Sequence, residues 1–407
     1  MIPPLKNKTI VIFSNMRFDS PIEATSFFLA KSFAKENQVF YVEYPSTIKD
    51  YYTNKDSPAF LNMKQSFFNA SMALLDTDVP NLKKLIPPII APINFLPEGK
   101  IFRFFLKMNE HLVIKRIKTV LKARGIKDFV YINSFNFHYP GIGKALKPLL
   151  NIYQCVDPMI VPYDMKHGVT SELQLVEESD MVICTSKALY EEKSKINKHT
   201  YFVPNAADLS HSSKALDEDM PVHPILEKIP KPIIGYFGSI ERRMDFDLLQ
   251  AVINKNTDKS FVFIGPSYAE HLPEWFLNTP NLYVPGAVPY DDMPQILKGF
   301  DIAIIPFKKD EVSATIFPLK LFEYLGAGKP VAITDFNPDL KEYTYGSVSF
   351  CSDADEFDKA INDILKNDTP EKQAERIAVA QKNTWDIRAE EIGVLIEKGL
   401  AQKAKQA

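Results

Sequence analysis

The chain has 407 residues, a size at which a single hydrophobic core stops growing and two domains are expected. Hydrophobic residues make up 45% and charged residues 24%, which excludes disorder, and 48 Lys or Arg against 51 Asp or Glu leave a net charge of −3 that offers no general attraction to nucleic acid. Three cysteines, Cys155, Cys184 and Cys351, without a CxxC pair, exclude a disulfide framework and fit a reducing cytosol.

The opening MIPPLKNKTIVIFSN lacks the apolar core of a signal peptide, and its run Thr9–Phe13 reads as a strand. The most apolar segment, Leu85–Leu96, contains prolines and is shorter than the roughly 20 apolar residues a membrane span needs. Further strands are predicted at Gln38–Tyr44, Asp128–Ser134, Leu150–Asp157, Asp180–Thr185 and Thr200–Val203. Helices are predicted at Ile22–Lys35, Ile101–Arg124, Ser171–Glu178 and Lys187–Lys195. A stretch rich in Ser, Asp and Pro follows, with the composition of a linker. The second half alternates strands at Pro232–Phe237, Ser260–Ile264, Asn281–Val284, Asp301–Pro306, Pro330–Thr334 and Ser347–Cys351 with helices at Phe246–Asn254, Met293–Phe300, Pro318–Leu325 and Ala354–Leu365. Alternation of this kind makes the fold class α/β: two Rossmann-like, doubly wound domains, with ligands expected beyond the carboxyl ends of the strands.

The strongest chemical signal is Phe317-Pro-Leu-Lys-Leu-Phe-Glu-Tyr-Leu-Gly-Ala-Gly-Lys-Pro-Val331. Pro318 suits a first helical position, and Gly326 and Gly328 stop the helix. Lys320 and Glu323 then share one face, where the helix N-terminus and the lysine suit a diphosphate and the carboxylate suits two ribose hydroxyls. The same spacing also suits a plain surface ion pair. In Gly235-Tyr-Phe-Gly238-Ser-Ile-Glu-Arg-Arg243, Gly238 permits close backbone approach, and Arg242 and Arg243 set guanidinium forks at a strand end. Phe263-Ile-Gly-Pro266 and Gly286-Ala-Val-Pro-Tyr290 end neighbouring strands and offer a flat base apolar and backbone contacts; ordinary turns look alike.

Taken in order, GYFGSI, FVFIGP, VPGAVPYDDMP, FDIAIIPF and FPLKLFEYLGAGKPVAIT resemble the donor domain of GT-B glycosyltransferases, in particular the large retaining group 1 class (family 4) and its teichuronic-acid-type branch. IYQCVDP, DMVICTSKALYEEK and FVPNAAD give a looser match in the first half. The resemblance implies two facing domains. Residues 1–210, completed by helices within 380–407, would bind the acceptor; 211–229 would be a linker; and 230–379 would bind the nucleotide-sugar. It also implies that Glu323 holds the donor ribose, that Arg242 or Arg243 with Lys320 binds the diphosphate, and that Val288 to Tyr290 and Gly265 to Pro266 flank the base. Gly238, Thr315 and Leu319 complete the expected donor-binding set.

Two departures stand out. Eight positions before Glu323, where the class has a second glutamate, stands Thr315, so Glu311 is the candidate for the donor-sugar contact. The first strand-to-helix loop, Ser14–Pro21, has no glycine, which leaves Arg17 and Asp19 as acceptor-side candidates. His138 matches a cleft histidine of the class near the donor sugar; Asp157, at a strand end, is a further acceptor-side candidate. No His/Cys cluster suggests a metal. The class implies transfer with retention, without a metal and with no cofactor beyond the nucleotide-sugar co-substrate. The catalytic candidates are thus His138, Glu311, Arg242 and Lys320.

Residues 81–128 hold eleven Lys or Arg against three acids, a net +8, interleaved with Phe102, Phe104, Phe105, Leu106, Leu112, Val113 and Ile117. Such a segment suits peripheral contact with an anionic inner leaflet, or equally a domain helix with a solvated basic face. The expected protein is a cytoplasmic transferase acting on a nucleoside-diphosphate sugar (UDP- or GDP-type) and a glycan or lipid-linked acceptor in cell-surface polysaccharide synthesis. A nucleotide-sugar 2-epimerase and a non-catalytic binding relative remain as alternatives.

Overall fold

Among the residues that the computed structural model describes, 4–18 and 25–406, the strands form two sheets in two units, Met1–Pro204 with Arg388–Ala407 and Asn205–Ile387. The first sheet comprises β1 (Thr9–Ser14), β2 (Gln38–Val42), β3 (Leu74–Asp76), β4 (Leu82–Leu85), β5 (Val130–Ser134), β6 (Leu150–Cys155), β7 (Met181–Cys184) and β8 (Thr200–Phe202). Their order is β3-β4-β2-β1-β5-β6-β7-β8, parallel except where β3 runs against β4. The second comprises β9 (Ile233–Phe237), β10 (Ser260–Ile264), β11 (Leu282–Gly286), β12 (Ile302–Ile305), β13 (Val331–Thr334) and β14 (Ser349–Cys351), all parallel, in the order β11-β10-β9-β12-β13-β14.

Parallel strands covered by helices on both faces must be apolar on both. That is why β10, Ser-Phe-Val-Phe-Ile, is buried along its whole length. In the second sheet the chain winds outward from β9 to β11, returns to the middle and winds the other way from β12. The chain thus leaves the neighbours β9 and β12 toward opposite edges of the sheet, and at such a switch point ligands bind in the crevice outside the carboxyl ends of the strands.

The predicted strands occur with ends shifted by a few residues. Missed were β3, β4 and several helices, among them Ile48–Asn54, Pro58–Phe68 and Pro370–Gln381. The obstacle at β4, Leu-Lys-Lys-Leu, is physical: Lys84 is buried with its ammonium 3.6 Å from the buried carboxylate of Glu43, the residue just after β2, a pairing that no local pattern reveals. The predicted helix Ile22–Lys35 is described from Thr25 to Ala34.

The expected linker 211–229 is corrected. It contains short helical turns, including Ser213–Leu216 and Pro224–Leu226, and Ala215 and Leu226 enter the core of the second unit. The second unit also begins earlier than 230 and ends later than 379. Ala207 bridges to Thr384, and its N–H donates to the Asn383 carbonyl (3.1 Å). From Arg388 onward the last helix, Trp385–Gln406, groups with the first unit and buries Ala389, Ile392 and Ile396 there.

One buried cation ties the helix Pro370–Gln381 to the turn after the helix Leu319–Gly326. Arg376 donates through Nε to the Gly328 carbonyl (3.0 Å) and through both Nη atoms to the Asp368 carboxylate (2.7 and 2.9 Å). Arg376→Ala leaves that carboxylate and carbonyl unpaired and is expected to cost the second unit about 2–4 kcal/mol, read as a lowered urea midpoint; an unchanged midpoint would contradict this.

Candidate functional site

At the carboxyl ends of β9 and β10 the backbone turns on glycine. Gly238 (φ +140°) donates its N–H to the Ile264 carbonyl (2.8 Å), and Gly265 (φ +148°) follows directly on β10. A Cβ on Gly265 would lie 2.1 Å from the Gly238 carbonyl oxygen, so the two turns are pressed backbone against backbone. The loop after β9 then runs beside the loop after β12: Met244 bridges to Phe307, and Lys308 donates its N–H to the Arg243 carbonyl (2.8 Å).

The helix Leu319–Gly326 faces this crevice. Pro318 is its N-cap rather than its first helical residue, and Gly328 (φ +71°) turns the chain away at the other end. The approach to the helix is held by two side-chain amides, Asn205 donating to the Phe317 carbonyl (3.0 Å) and Asn337 to the Ile316 carbonyl (2.9 Å). Tyr324 fastens the helix to β9: its buried hydroxyl accepts from the Phe237 N–H (2.8 Å) and donates to the Phe237 carbonyl (3.1 Å).

This geometry lays Lys320 on Tyr236. The Lys320 Nζ donates to the Tyr236 hydroxyl (2.6 Å), which donates onward to the Ser239 carbonyl (2.9 Å). Nζ also lies 4.3 Å from the Tyr236 ring centroid and 5.3 Å from that of Phe307. A Cβ on Gly238 would sit 2.6 Å from Nζ, so the glycine makes room for the amine. Arg243 stands over the same Phe307 ring (5.7 Å) and is paired with Glu241. Burial, and then the Arg243 charge, push Lys320 down to about 7, against the opposing pull of Glu323 and Glu241. An anion placed beside a lysine in this state would favour its charged form.

Glu323, one turn further on, departs from the open ribose contact expected. Its carboxylate is buried, and Oε1 accepts from the Tyr290 hydroxyl (2.6 Å). Burial raises its pKa, while Tyr290 and Lys320 work against the rise. Tyr290 in turn stacks on His211 (centroids 4.5 Å apart), whose two ring nitrogens are buried without a hydrogen-bond partner. A carboxylate withdrawn from water needs a donor. In this structure the residue expected at the base provides it.

The structure thus brings Gly238, Arg243, Gly265, Tyr290, Lys320 and Glu323 to one end of the second sheet. Leu319 and Val288 are half-buried beside them, and Pro266 is exposed at the rim. Arg242 is exposed, so of the two arginines only Arg243 stands beside Phe307 and Lys320. Thr315 spends its hydroxyl on the Val312 carbonyl (2.6 Å), and Glu311 is exposed on the loop after β12. Sequence reasoning missed Tyr236, Tyr324, Phe307 and His211. The two tyrosines and Phe307 lay inside quoted motifs but were not singled out.

In the first unit, His138 is half-buried, packed on Phe137 (4.4 Å between centroids) and edge-on to Tyr44 (5.5 Å). Burial, reinforced by His167, pushes it down to about 4, so the imidazole is neutral near pH 7, with Nε2 4.0 Å from Asp164. Arg17 donates to the Ser46 hydroxyl (2.9 Å) and covers the Phe60 ring (4.9 Å). Asp157 is exposed beyond β6, and Asp19 lies outside the described residues. Among the described residues, no group of three or more His, Cys, Asp or Glu side chains is placed to hold a metal ion.

Residues 231–367 match the model of the family described as Glycosyl transferases group 1. The TuaH protein of Bacillus subtilis (strain 168), named as a teichuronic acid biosynthesis glycosyltransferase, is 26% identical over 218 residues, 48% of this chain and 54% of that one; the chain spans about half the length of this curated relative. Two solved structures align along almost the whole chain. The sucrose-phosphate synthase of Thermosynechococcus elongatus has a TM-score of 0.60 at 13% identity, covering 98% of this chain and 100% of that one. An E. coli structure described as trehalose-6-phosphate bound with UDP-2-fluoro glucose has a TM-score of 0.62 at 12% identity, covering 96% and 99%. The chain has the two-domain α/β architecture of GT-B proteins, and its second unit carries a glycosyl transferases group 1 domain.

The Lys320 amine makes stability depend on pH. Lys320 protonates near 7 when folded and near 10.5 when unfolded, so between these values the unfolded chain binds more protons and stability rises with pH. Lys329, pushed down to about 8, acts in the same direction. The expected result is therefore a shallower rise in unfolding free energy across this window for Lys320→Met than for the parent; parallel curves would contradict it.

Proposed function

We propose that the chain is a glycosyltransferase that moves a sugar from a nucleoside-diphosphate sugar to a glycan or lipid-linked acceptor in cell-surface polysaccharide synthesis. One observation carries this reading: Lys320 and Arg243 converge over Phe307 at the opening of the helix that bears Glu323, beyond the neighbours β9 and β12 at which the winding of the sheet reverses. The family match over 231–367 covers the same residues. A UDP-type donor is favoured by the structural neighbour bound with UDP-2-fluoro glucose, and a polysaccharide context by the relative named for teichuronic acid biosynthesis. Three unpaired, buried cysteines suit the cytoplasmic side, where a nucleotide-sugar would be used.

In this reading the diphosphate lies against Lys320, Arg243 and the free N–H groups at the start of the helix. As the glycosidic bond breaks, negative charge gathers on the leaving phosphate. Cations already fixed in a low-polarity crevice stabilise that charge without having to reorganise. The arriving diphosphate also favours the ammonium form of Lys320, which takes a proton from solvent, so that its charge is present when transfer begins. The ribose hydroxyls take over the Glu323 carboxylate as Tyr290 yields it and turns to the base. Retention of configuration and independence of a metal belong to the same reading; the anomer of the product and turnover in a chelator test them.

The deciding experiment incubates the protein with labelled UDP-, GDP- and dTDP-sugars and an acceptor extract. Nucleoside diphosphate release that needs the acceptor supports transfer. Sugar interconversion without an acceptor would support an epimerase, and binding without turnover a non-catalytic relative. Glu323→Gln is expected to weaken donor binding about 10- to 100-fold, the worth of a charged hydrogen bond, while Tyr290→Phe, which removes the competing hydroxyl, leaves it equal or tighter. Unchanged affinity in Glu323→Gln would remove the ribose assignment.

A further inference from the structure

The helix Lys100–Ala123 of the first unit buries Phe102, Leu106, Val113 and Ile117 in the core, which accounts for four of the apolar residues in the basic segment. Two of its basic residues are also withdrawn. Lys84 pairs with Glu43, and Arg116 donates to the carbonyls of Ser66 (2.6 Å), Phe67 (2.9 Å) and Ile86 (3.1 Å). What remains on the outside is not an ordinary solvated face. Ile101 (67% exposed), Phe104 (62%), Phe105, Met108 and Leu112 recur at helical spacing and form one stripe in water. Phe95 (75% exposed) continues it from the preceding loop, where Lys166 donates to its carbonyl (3.3 Å).

Charge runs beside this stripe and extends it. Lys100, Lys107, Lys115, Lys118 and Lys122 are exposed; at about 100° per residue Lys100, Lys107 and Lys118 fall along one border of the apolar positions, and Lys115 and Lys122 continue the stripe's own line beyond Leu112. The helix holds a single acid, Glu110, and it is buried, with Oε1 accepting from the Gly141 N–H (2.6 Å). No helix among the described residues is long and apolar enough to cross a membrane, so this one is suited to lie on a surface rather than to span it.

We propose that this face docks on the surface of an anionic lipid bilayer, with the Phe95, Ile101, Phe104 and Met108 side chains at the boundary of the acyl chains and the lysine border among headgroup phosphates. Charge complementarity selects the occupant. An aromatic stripe with a cationic border, whose neighbouring exposed acid Glu98 is held by Arg103 (2.7 Å), matches a sheet of phosphates over hydrocarbon. A second copy of the chain, paired face to face, would set lysine border against lysine border. The proposal goes beyond sugar transfer and needs no nucleotide, so it stands or falls separately from the proposed activity.

The test is sedimentation of the whole chain with vesicles of phosphatidylcholine alone and of phosphatidylcholine mixed with phosphatidylserine. Binding to the mixed vesicles, weak binding to the neutral ones and loss on adding salt are expected. Two double variants, Phe104→Ser with Met108→Ser and Lys107→Glu with Lys115→Glu, are each expected to lower binding at least ~tenfold. Both alter exposed side chains, so their thermal midpoints should match the parent. Equal binding to the two vesicle types, no binding, variants that bind as the parent does, or a dimer that the Phe104/Met108 variant dissolves would each overturn the proposal.

Discussion

The second unit is organised around an amine kept in poor solvent. Lys320 rests on the ring and hydroxyl of Tyr236 with Arg243 close by, and neither burial nor a like charge favours its ammonium form. The surroundings explain why the arrangement persists. Gly238 leaves the space that Nζ fills, Tyr324 pins the helix to the end of β9, and the two amides of Asn205 and Asn337 hold the chain leading into it. Each of these contacts makes sense if the helix must present Lys320 at a fixed height above the strand ends.

Glu323 shows the same economy from the opposite sign. A carboxylate on the inner turn of the helix is withdrawn from water, and the structure satisfies it with a phenol that stands on a neighbouring loop. Tyr290 therefore links the loop after β11 to the helix. A ligand with hydroxyl groups would meet a carboxylate already aligned to accept, since the bond it replaces has the same geometry. The stacked His211, brought in from the segment before β9, backs the tyrosine ring and limits where it can go.

Much of this was legible in the sequence for specific reasons. Continuous runs of β-branched and aromatic residues marked most of the strands, and Pro318 with the glycines at 326 and 328 marked the helix Leu319–Gly326. Glycines at 238, 265 and 328 marked places where the backbone turns. Local patterns could not reveal partners brought from far along the chain. The choice of Arg243 over Arg242 depends on which way the loop after β9 lies along β12. The Tyr290 bond to Glu323 spans 33 residues, and the burial of Lys84 and Arg116 depends on a carboxylate and carbonyls elsewhere in the first unit. The basic segment was read as one amphipathic cationic stretch, suited to a membrane face or a domain helix alike, for the same reason. Only the fold separates its buried positions from the exposed lysines and the aromatic stripe left outside.

The most direct measurement is calorimetry of UDP binding at about pH 8.5, between the folded and ordinary lysine values, repeated in buffers of different ionisation enthalpy. If Lys320 is the neutral amine awaiting a diphosphate, binding takes up close to one proton in the parent chain and almost none in Lys320→Met. Binding without proton uptake, or the same uptake in both proteins, would contradict it.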